Sequence, residues 1–295
     1  MTEDIQIRAF ASSDRDSVRD LLTRTFGSSE IFDRYERPNP MGEPVRVVAE
    51  WNGTIVGYNA WNAWQVYTPQ GPRVVHQSGA SAVDSVCRGK GVFAKLLATG
   101  ESVARAQGVD CFIGFPNPAS YKSFLRAGWE HIQSLSLYAT NPVVARMAPA
   151  RLPRVDLAVE TSPTRELGSS FERSFAAWRY GGSTARHLDF QASGRDCRVF
   201  YSQRSKRGLP QITVLDVIDL GTGLRAPYVL HGALRRLPWY SVVVLRTNGE
   251  ATSGMFEVRR AWKTPLIVLP LSTHGHELRD LLAQTTFWYG DIDIA

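Results

Sequence analysis

The chain has 295 residues, 43% hydrophobic and 21% charged, with 24 Gly and 16 Pro. That is an ordinary globular composition, and it excludes collagen-like, disordered and low-complexity proteins. Its 34 Lys and Arg exceed its 28 Asp and Glu, for a net charge of +6; the surplus attracts polyanions in general and, being scattered, selects none of them. No run reaches the ~18 uncharged apolar residues of a membrane span, and the opening MTEDIQIRAF lacks the apolar core of a secretory leader. Three widely spaced cysteines without CxxC (Cys87, Cys111, Cys197) fit a reducing cytoplasm better than a disulfide framework or a zinc site.

In chain order, Ile5 to Phe10 reads as a strand, and Ser12 and Ser13 offer a cap for a helix with Val18, Leu21, Leu22 and Phe26 on one face. Val45 to Trp51 and Thr54 to Tyr67 are strands joined by the hairpin signal Asn52-Gly53. A third antiparallel strand is expected from about Val74 to Val86. After Cys87-Arg88-Gly89-Lys90-Gly91 a helix runs to about Gln107, with Phe93, Leu96, Leu97, Gly100, Val103 and Ala104 at helical spacing. Asp110 to Phe115 is a short strand, Ala119 to Ala127 a helix ended by Gly128, and Trp129 to Ala139 another strand. Residues 141–154, with three prolines, read as a linker.

Beyond the linker, strands are expected near 155–159, 198–201, 211–220, 241–246 and 263–269. Helices are expected around Phe171, Phe175 and Trp178, over 226–237 and over 276–283. The element order thus occurs twice, suggesting duplication at a period of ~140–150 residues. The cluster Arg204, Lys206, Arg207 reads as a solvated turn.

Chemistry concentrates in Ser81-Ala82-Val83-Asp84-Ser85-Val86-Cys87-Arg88-Gly89-Lys90-Gly91-Val92-Phe93. A strand ends, a glycine-rich loop turns and a helix starts. The unpaired N–H groups of a helix start, its dipole, and the charges of Arg88 and Lys90 suit a pyrophosphate. A P-loop is excluded because Gly91 follows Lys90 where Ser or Thr is required. The pattern GxGxxA is present as Gly89, Gly91 and Ala94. However, antiparallel hairpins precede it, and the next strand ends in Phe115-Pro116-Asn117, without the ribose-binding acid of a dinucleotide fold.

The stretch Val83-Asp84-Ser85-Val86-Cys87-Arg88-Gly89-Lys90-Gly91 resembles the acyl-coenzyme A loop of the GCN5-related N-acetyltransferases (GNATs), [Q/R]-x-x-G-x-[G/A]. Ser85, Cys87 and Phe93 stand where that family usually has Pro, Tyr and a final Gly or Ala. The resemblance continues through Gly114-Phe115-Pro116-Asn117-Pro118, Ser120-Tyr121 and Gly128-Trp129, and covers residues 5–139. With Trp178-Arg179-Tyr180 and the closing Trp288-Tyr289-Gly290-Asp291-Ile292-Asp293, the chain is similar to tandem-domain bacterial N-acyltransferases, some of which act on nucleotide-linked amino sugars. The second half lacks a second R-x-x-G-x-G loop, so one coenzyme site is expected.

The resemblance implies an α/β (α+β) protein of two tandem GNAT-like domains, each a mixed, mainly antiparallel sheet flanked by helices. A coenzyme-binding domain would span 1–140 and a degenerate copy shaping the acceptor site 155–295. Strands four and five would splay after Val83 and beside Phe112 to hold the pantetheine arm. N–H groups near Ser81, Ala82 and Val83 would polarise the thioester, and Arg88, Gly89, Lys90, Gly91, Val92 and Phe93 would hold the pyrophosphate. The acceptor amine must lose a proton before it attacks. His76 is a base candidate, against an ordinary strand histidine; Asp84 is another, at a position normally structural; Glu30 and Glu50 have only their location in favour. The family's usual thiolate-protonating Tyr is replaced here by Phe124, which leaves Tyr121 for acid work or coenzyme contact. Asn117 would hold the pantetheine amide or cap its helix. Asp291-Ile292-Asp293 reads as a pocket rim rather than a metal motif, and most of the tryptophans as core.

The resulting expectation is metal-free transfer of an acetyl or short acyl group from acetyl-CoA or another acyl-CoA to the primary amine of a small molecule. A nucleotide-linked amino sugar is the leading acceptor; the protein would be a cytoplasmic monomer or homodimer, with neither nucleic acid nor membrane as partner. The alternatives are a protein or peptide N-acetyltransferase and a non-catalytic acyl-CoA sensor.

Overall fold

The computed structural model describes residues 5–147, 175, 178–180, 185–192, 194–206, 208–220, 230–238, 240–249, 254–259 and 261–287. The expected strand at 155–159, Phe171, Arg207 and the closing residues 288–295 lie outside them. The first half runs β1 (Gln6–Ala9), α1 (Arg15–Phe26), α2 (Glu30–Tyr35), β2 (Val45–Trp51), β3 (Thr54–Thr68) and β4 (Gly71–Val83). It continues with α3 (Val92–Ala106), β5 (Cys111–Gly114), α4 (Pro118–Arg126) and β6 (Glu130–Thr140). The hairpin between β2 and β3 turns at Asn52 (φ 52°) and Gly53 (φ 72°), the left-handed pair that such a tight turn demands. β4 ends three residues before the expected Val86, because Asp84 caps a single 3-10 turn over Ser85–Cys87.

The supposed linker opens with a helix, α5 (Pro142–Met147). Then come β7 (Arg186–Ala192), β8 (Arg195–Lys206), β9 (Leu209–Asp219), α6 (Leu230–Leu234), β10 (Val242–Thr247), β11 (Phe256–Glu257), β12 (Thr264–Pro270) and α7 (Thr273–Ala283). β7 and β11 have no counterpart in the sequence reading. β11 is two exposed residues, whereas β7 alternates Leu188, Phe190 and Ala192, which pack on the second-half core, with polar residues, a signal the sequence reading passed over. Arg204 and Lys206 belong to β8 rather than to a turn.

All described strands form one sheet in the order β1-β2-β3-β4-β5-β12-β6-β10-β9-β8-β7, with β11 also on β6. The halves exchange strands. β12, from the second half, lies between β5 and β6 (Leu269 opposite Phe112; Thr264 opposite Leu135), while β6 pairs with β10 (Leu245 opposite Tyr138). The parallel pair β4–β5 is matched by the parallel pair β9–β10. β12 is an apolar run, suited to a central strand covered on both faces. The second half also anchors the start of β5: the N–H of Leu271 donates to the Asp110 carbonyl (2.8 Å), and the Ser272 hydroxyl donates to the Asp110 carboxylate.

Helices cover both faces of the first-half sheet. On one face α1 and α2 pack Val18, Leu21, Leu22 and Phe32 against Val48, Tyr58 and Trp64, joined by Phe175, Trp178 and Phe287 from the second half. On the other, Leu96, Leu97 and Phe124 from α3 and α4 pack on Val45, Val47, Trp61 and Phe112. No described helix is long and apolar enough to cross a membrane.

Candidate functional site

β4 and β5 share only two ladder pairs, His76 with Phe112 and Gln77 with Ile113. Beyond Gln77 the strands diverge, six residues before the expected Val83, leaving a fork between them. On its other side β4 is bulged: Ala82 faces Tyr58 and Gly79 faces Ala60, so Ala80 and Ser81 together oppose Asn59. Ala80 takes φ 50°, a left-handed conformation that costs a residue with a Cβ ~1 kcal/mol or more. The Ser81 hydroxyl donates to the Asn59 side-chain oxygen. The bulge re-aims the backbone that follows it. The N–H of Asp84 donates to the Val56 carbonyl (2.8 Å); by the alternation of an antiparallel ladder, Ala82 also points to β3, and the N–H of Val83 points into the fork.

The loop below the fork leaves backbone donors open at the start of α3. Gly89 (φ 77°) and Gly91 (φ 74°) are left-handed, and neither has a heavy atom within 4 Å of where a Cβ would stand. Gly91 is the N-cap of α3 and has no side chain to satisfy the first-turn N–H groups. Those of Val92, Phe93 and Ala94 therefore remain available to an anion, with the helix dipole behind them. The Arg88 Nε donates to the Val83 carbonyl (3.3 Å), which holds its guanidinium along the strand end. Lys90 leans the other way, its Nζ 5.1 Å above the Trp51 ring.

A groove of about 510 Å³ runs from this loop between α3 and α4, lined in part by Val83, Arg88, Gly91, Val92 and Phe93. Leu97, Glu101, Ser123 and Arg126 also line it. The sequence reading missed these four. Phe93, Leu97 and Glu101 share one face at helical spacing, a signal available in the sequence. That Ser123 and Arg126 face them depends on how α4 packs, through Phe124 edge-on to Phe93 (5.3 Å between ring centroids).

The remaining candidates separate. Tyr121 lies outside the groove, in a second pocket with His131, Ser134, Trp262 and Lys263, its ring edge-on to Trp262 (6.3 Å). The Asn117 Oδ1 accepts from the N–H groups of Ala119 and Ser120 (both 3.0 Å) and so caps α4. Asp84 accepts from the Val86 N–H (3.2 Å) and pairs with Arg24 (3.4 Å). His76 stands at the apex of the fork, opposite Ala63 and beside Phe112. Its Nε2 contacts the Glu43 carbonyl (3.2 Å), which can only accept, so that nitrogen carries the proton. Burial holds the imidazole below its ordinary pKa, partly opposed by the same hydrogen bond. Trp61 stacks on Phe112 (4.8 Å) and is fully buried, while Trp262 is exposed.

Residues 6–132 match the family model described as an acetyltransferase (GNAT) domain. No curated protein matches the sequence. Three solved structures are similar at 13% identity each. A GCN5-related N-acetyltransferase from Anabaena variabilis has a TM-score of 0.62 over 92% of this chain and 74% of that one. Eis1 from Mycobacterium abscessus has a TM-score of 0.58 over 94% and 76%. A tandem GNAT protein from the clavulanic acid biosynthesis pathway has a TM-score of 0.56 over 91% and 99%. What is common to them at this identity is the fold, and it extends over both halves of the chain.

Proposed function

We propose, from the premise that residues 6–132 are a GNAT acetyltransferase domain and the chain an acyl-CoA-dependent N-acyltransferase, that it moves an acetyl or short acyl group to the primary amine of a small molecule. The observation that carries this reading is the uncapped, glycine-flanked start of α3 standing directly below the β4–β5 fork. Arg88, Gly89, Gly91, Val92 and Phe93 hold the pyrophosphate, with Lys90 adding charge at the rim. The pantetheine arm lies in the fork and takes the place of the missing ladder. The thioester carbonyl accepts from the Val83 N–H, which gains strength as the oxygen becomes an oxyanion; a single donor of this kind is worth ~10²–10³ in rate. The neutral amine attacks the carbonyl carbon, the C–S bond breaks, and the amine's surplus proton leaves to solvent or to the departing thiolate.

Residues 1–140 supply the coenzyme loop in this reading, and residues 155–295 help enclose the acceptor. Within the same chemistry an amino sugar, free or nucleotide-linked, is the acceptor we favour. The test is release of free thiol from acetyl-CoA with a panel of primary amines, alongside calorimetry with coenzyme A. Arg88→Glu is expected to weaken coenzyme binding by tenfold or more, since the favourable charge contact becomes a repulsive one. Absence of coenzyme binding by the wild-type chain would refute the proposal, and binding without thiol release would leave a sensor.

A further inference from the structure

In the acyl-transfer reading the coenzyme takes the face of the sheet that carries α3, which leaves the other face at the fork to the acceptor. The groove and α3 occupy one face. The other carries α1, α2 and the aromatic residues Phe175 and Trp178 of the second half. On that second face, where β4 parts from β5, stand two carboxamides. Gln77 is the last residue of β4 paired with β5, and Asn62 is directly across from it on β3. Both share a face with Trp64 and Val75 by strand alternation. Each is only 2% exposed, and Trp64 1%.

Buried amides in a sheet interior are ordinarily hydrogen-bonded. Here the Asn62 Nδ2, the Gln77 Oε1 and the Trp64 Nε1 all lack a partner. Directly opposed side chains stand close enough to satisfy one another, yet the donor of one carboxamide and the acceptor of the other do not pair. Two unpartnered donors and one unpartnered acceptor thus stand along one face of β3 and β4 beside the fork. Its flank is aromatic: Trp64 meets Phe175 and Trp178 edge-on (5.3 and 5.9 Å). The Arg179 guanidinium lies 5.0 Å over the Trp64 ring, which disfavours an acceptor with several ammonium groups.

We infer that Asn62 and Gln77 are specificity-determining residues that select an acceptor bearing hydroxyl or amide groups beside its reacting amine. The inference rests on the acyl-transfer reading and deepens it. A hydroxylated amine satisfies the three groups. A hydrocarbon amine of the same size leaves them buried and unmet, and sites built to hydrogen-bond a polar group discriminate strongly against analogues that lack it.

The test compares D-glucosamine with cyclohexylamine as acceptors for acetyl-CoA, in the wild-type chain and in Asn62→Leu and Gln77→Met. Wild type is expected to favour glucosamine in kcat/KM by at least about tenfold. Each variant is expected to lose about tenfold or more of the glucosamine kcat/KM, through KM. Turnover of cyclohexylamine and the KM for acetyl-CoA should stay within about twofold, and Tm should not fall, since an unmet polar group has been removed. Equal turnover of the two amines by wild type, an unchanged ratio in both variants, or no acetylation of glucosamine while coenzyme A binds would overturn the inference. A fall in Tm with both amines equally affected would also overturn it, because that marks the carboxamides as structural. If Asn62→Leu does not fold, Gln77→Met decides by the same criteria. Failure to bind coenzyme A is a separate result, and it removes the acyl-transfer reading itself.

Discussion

Replacing Gly100 by alanine reverses the usual effect of that change in a helix. In α3, Gly→Ala should stabilise by ~1 kcal/mol through propensity alone. A Cβ at Gly100, however, would stand 2.1 Å from the Trp61 Cη2 and 2.3 Å from its Cζ3, against ~3.5–4.0 Å for ordinary carbon contacts. The ring must retreat by about 1.5 Å to reach that separation. It has nowhere to go: Trp61 is fully buried and stacked on Phe112 (4.8 Å between centroids, 8° between planes), which is stacked in turn on Trp129 (5.9 Å, 18°). Overpacking of this kind costs ~1–3 kcal/mol. A displacement of this size belongs at the upper end, so after the propensity gain Gly100→Ala should destabilise by ~1–2 kcal/mol. Thermal unfolding should show a loss of several degrees, at ~2–4 °C per kcal/mol for a chain of this order of size. Because Phe112 is paired with His76 at the fork, coenzyme affinity should fall as well. A Tm equal to or above wild type would refute the reasoning, for then propensity alone governs the site and the close approach of α3 to the sheet is wrong.

Gly91→Ala should behave in the opposite way. Nothing surrounds the missing Cβ, so stability should drop only by the ~1 kcal/mol of a left-handed alanine, while calorimetry should register a loss of tenfold or more in coenzyme A affinity. His76 sits with its pKa lowered by burial. The unfolded chain therefore binds more protons than the native one below about pH 6.5, and stability falls as the pH drops from there through the folded pKa. His76→Gln should flatten that part of the stability–pH curve in denaturant titrations, and an unchanged slope would show that other groups set it. All three cysteines are buried, and burial together with the neighbouring Asp110 pushes the Cys111 thiol up to about 12. A disulfide-exchange reagent at neutral pH should thus count no rapidly reacting thiol in the native protein and three after denaturation; a fast native thiol contradicts the packing.

Much of the first half was legible without coordinates. Asn52-Gly53 marked its hairpin, the period of Leu96, Leu97, Gly100 and Ala104 marked α3, and Arg88-Gly89-Lys90-Gly91 marked the glycine-rich turn before it. Each of these signals is local, carried by turn stereochemistry or by spacing within one element. β11, two exposed residues, left no such trace, whereas β7 carried one in the alternation of Leu188, Phe190 and Ala192 that the reading passed over. Tyr121 was a candidate for acid work or coenzyme contact, and α4 turns it toward Trp262.

The sequence by itself determined most elements of the first half, the glycine-rich turn into α3 and the family resemblance. Only the tertiary structure decided where the strands go and what they bring together. That β12 enters beside β5, that the fork opens at Gln77, and that Asn62 lies across from it on the face away from α3 all depend on pairings between distant segments. Backbone hydrogen bonding between strands is the same for any apolar run, so no residue in TPLIVLP names its neighbour. The choice of neighbour is made by the packing of both faces at once.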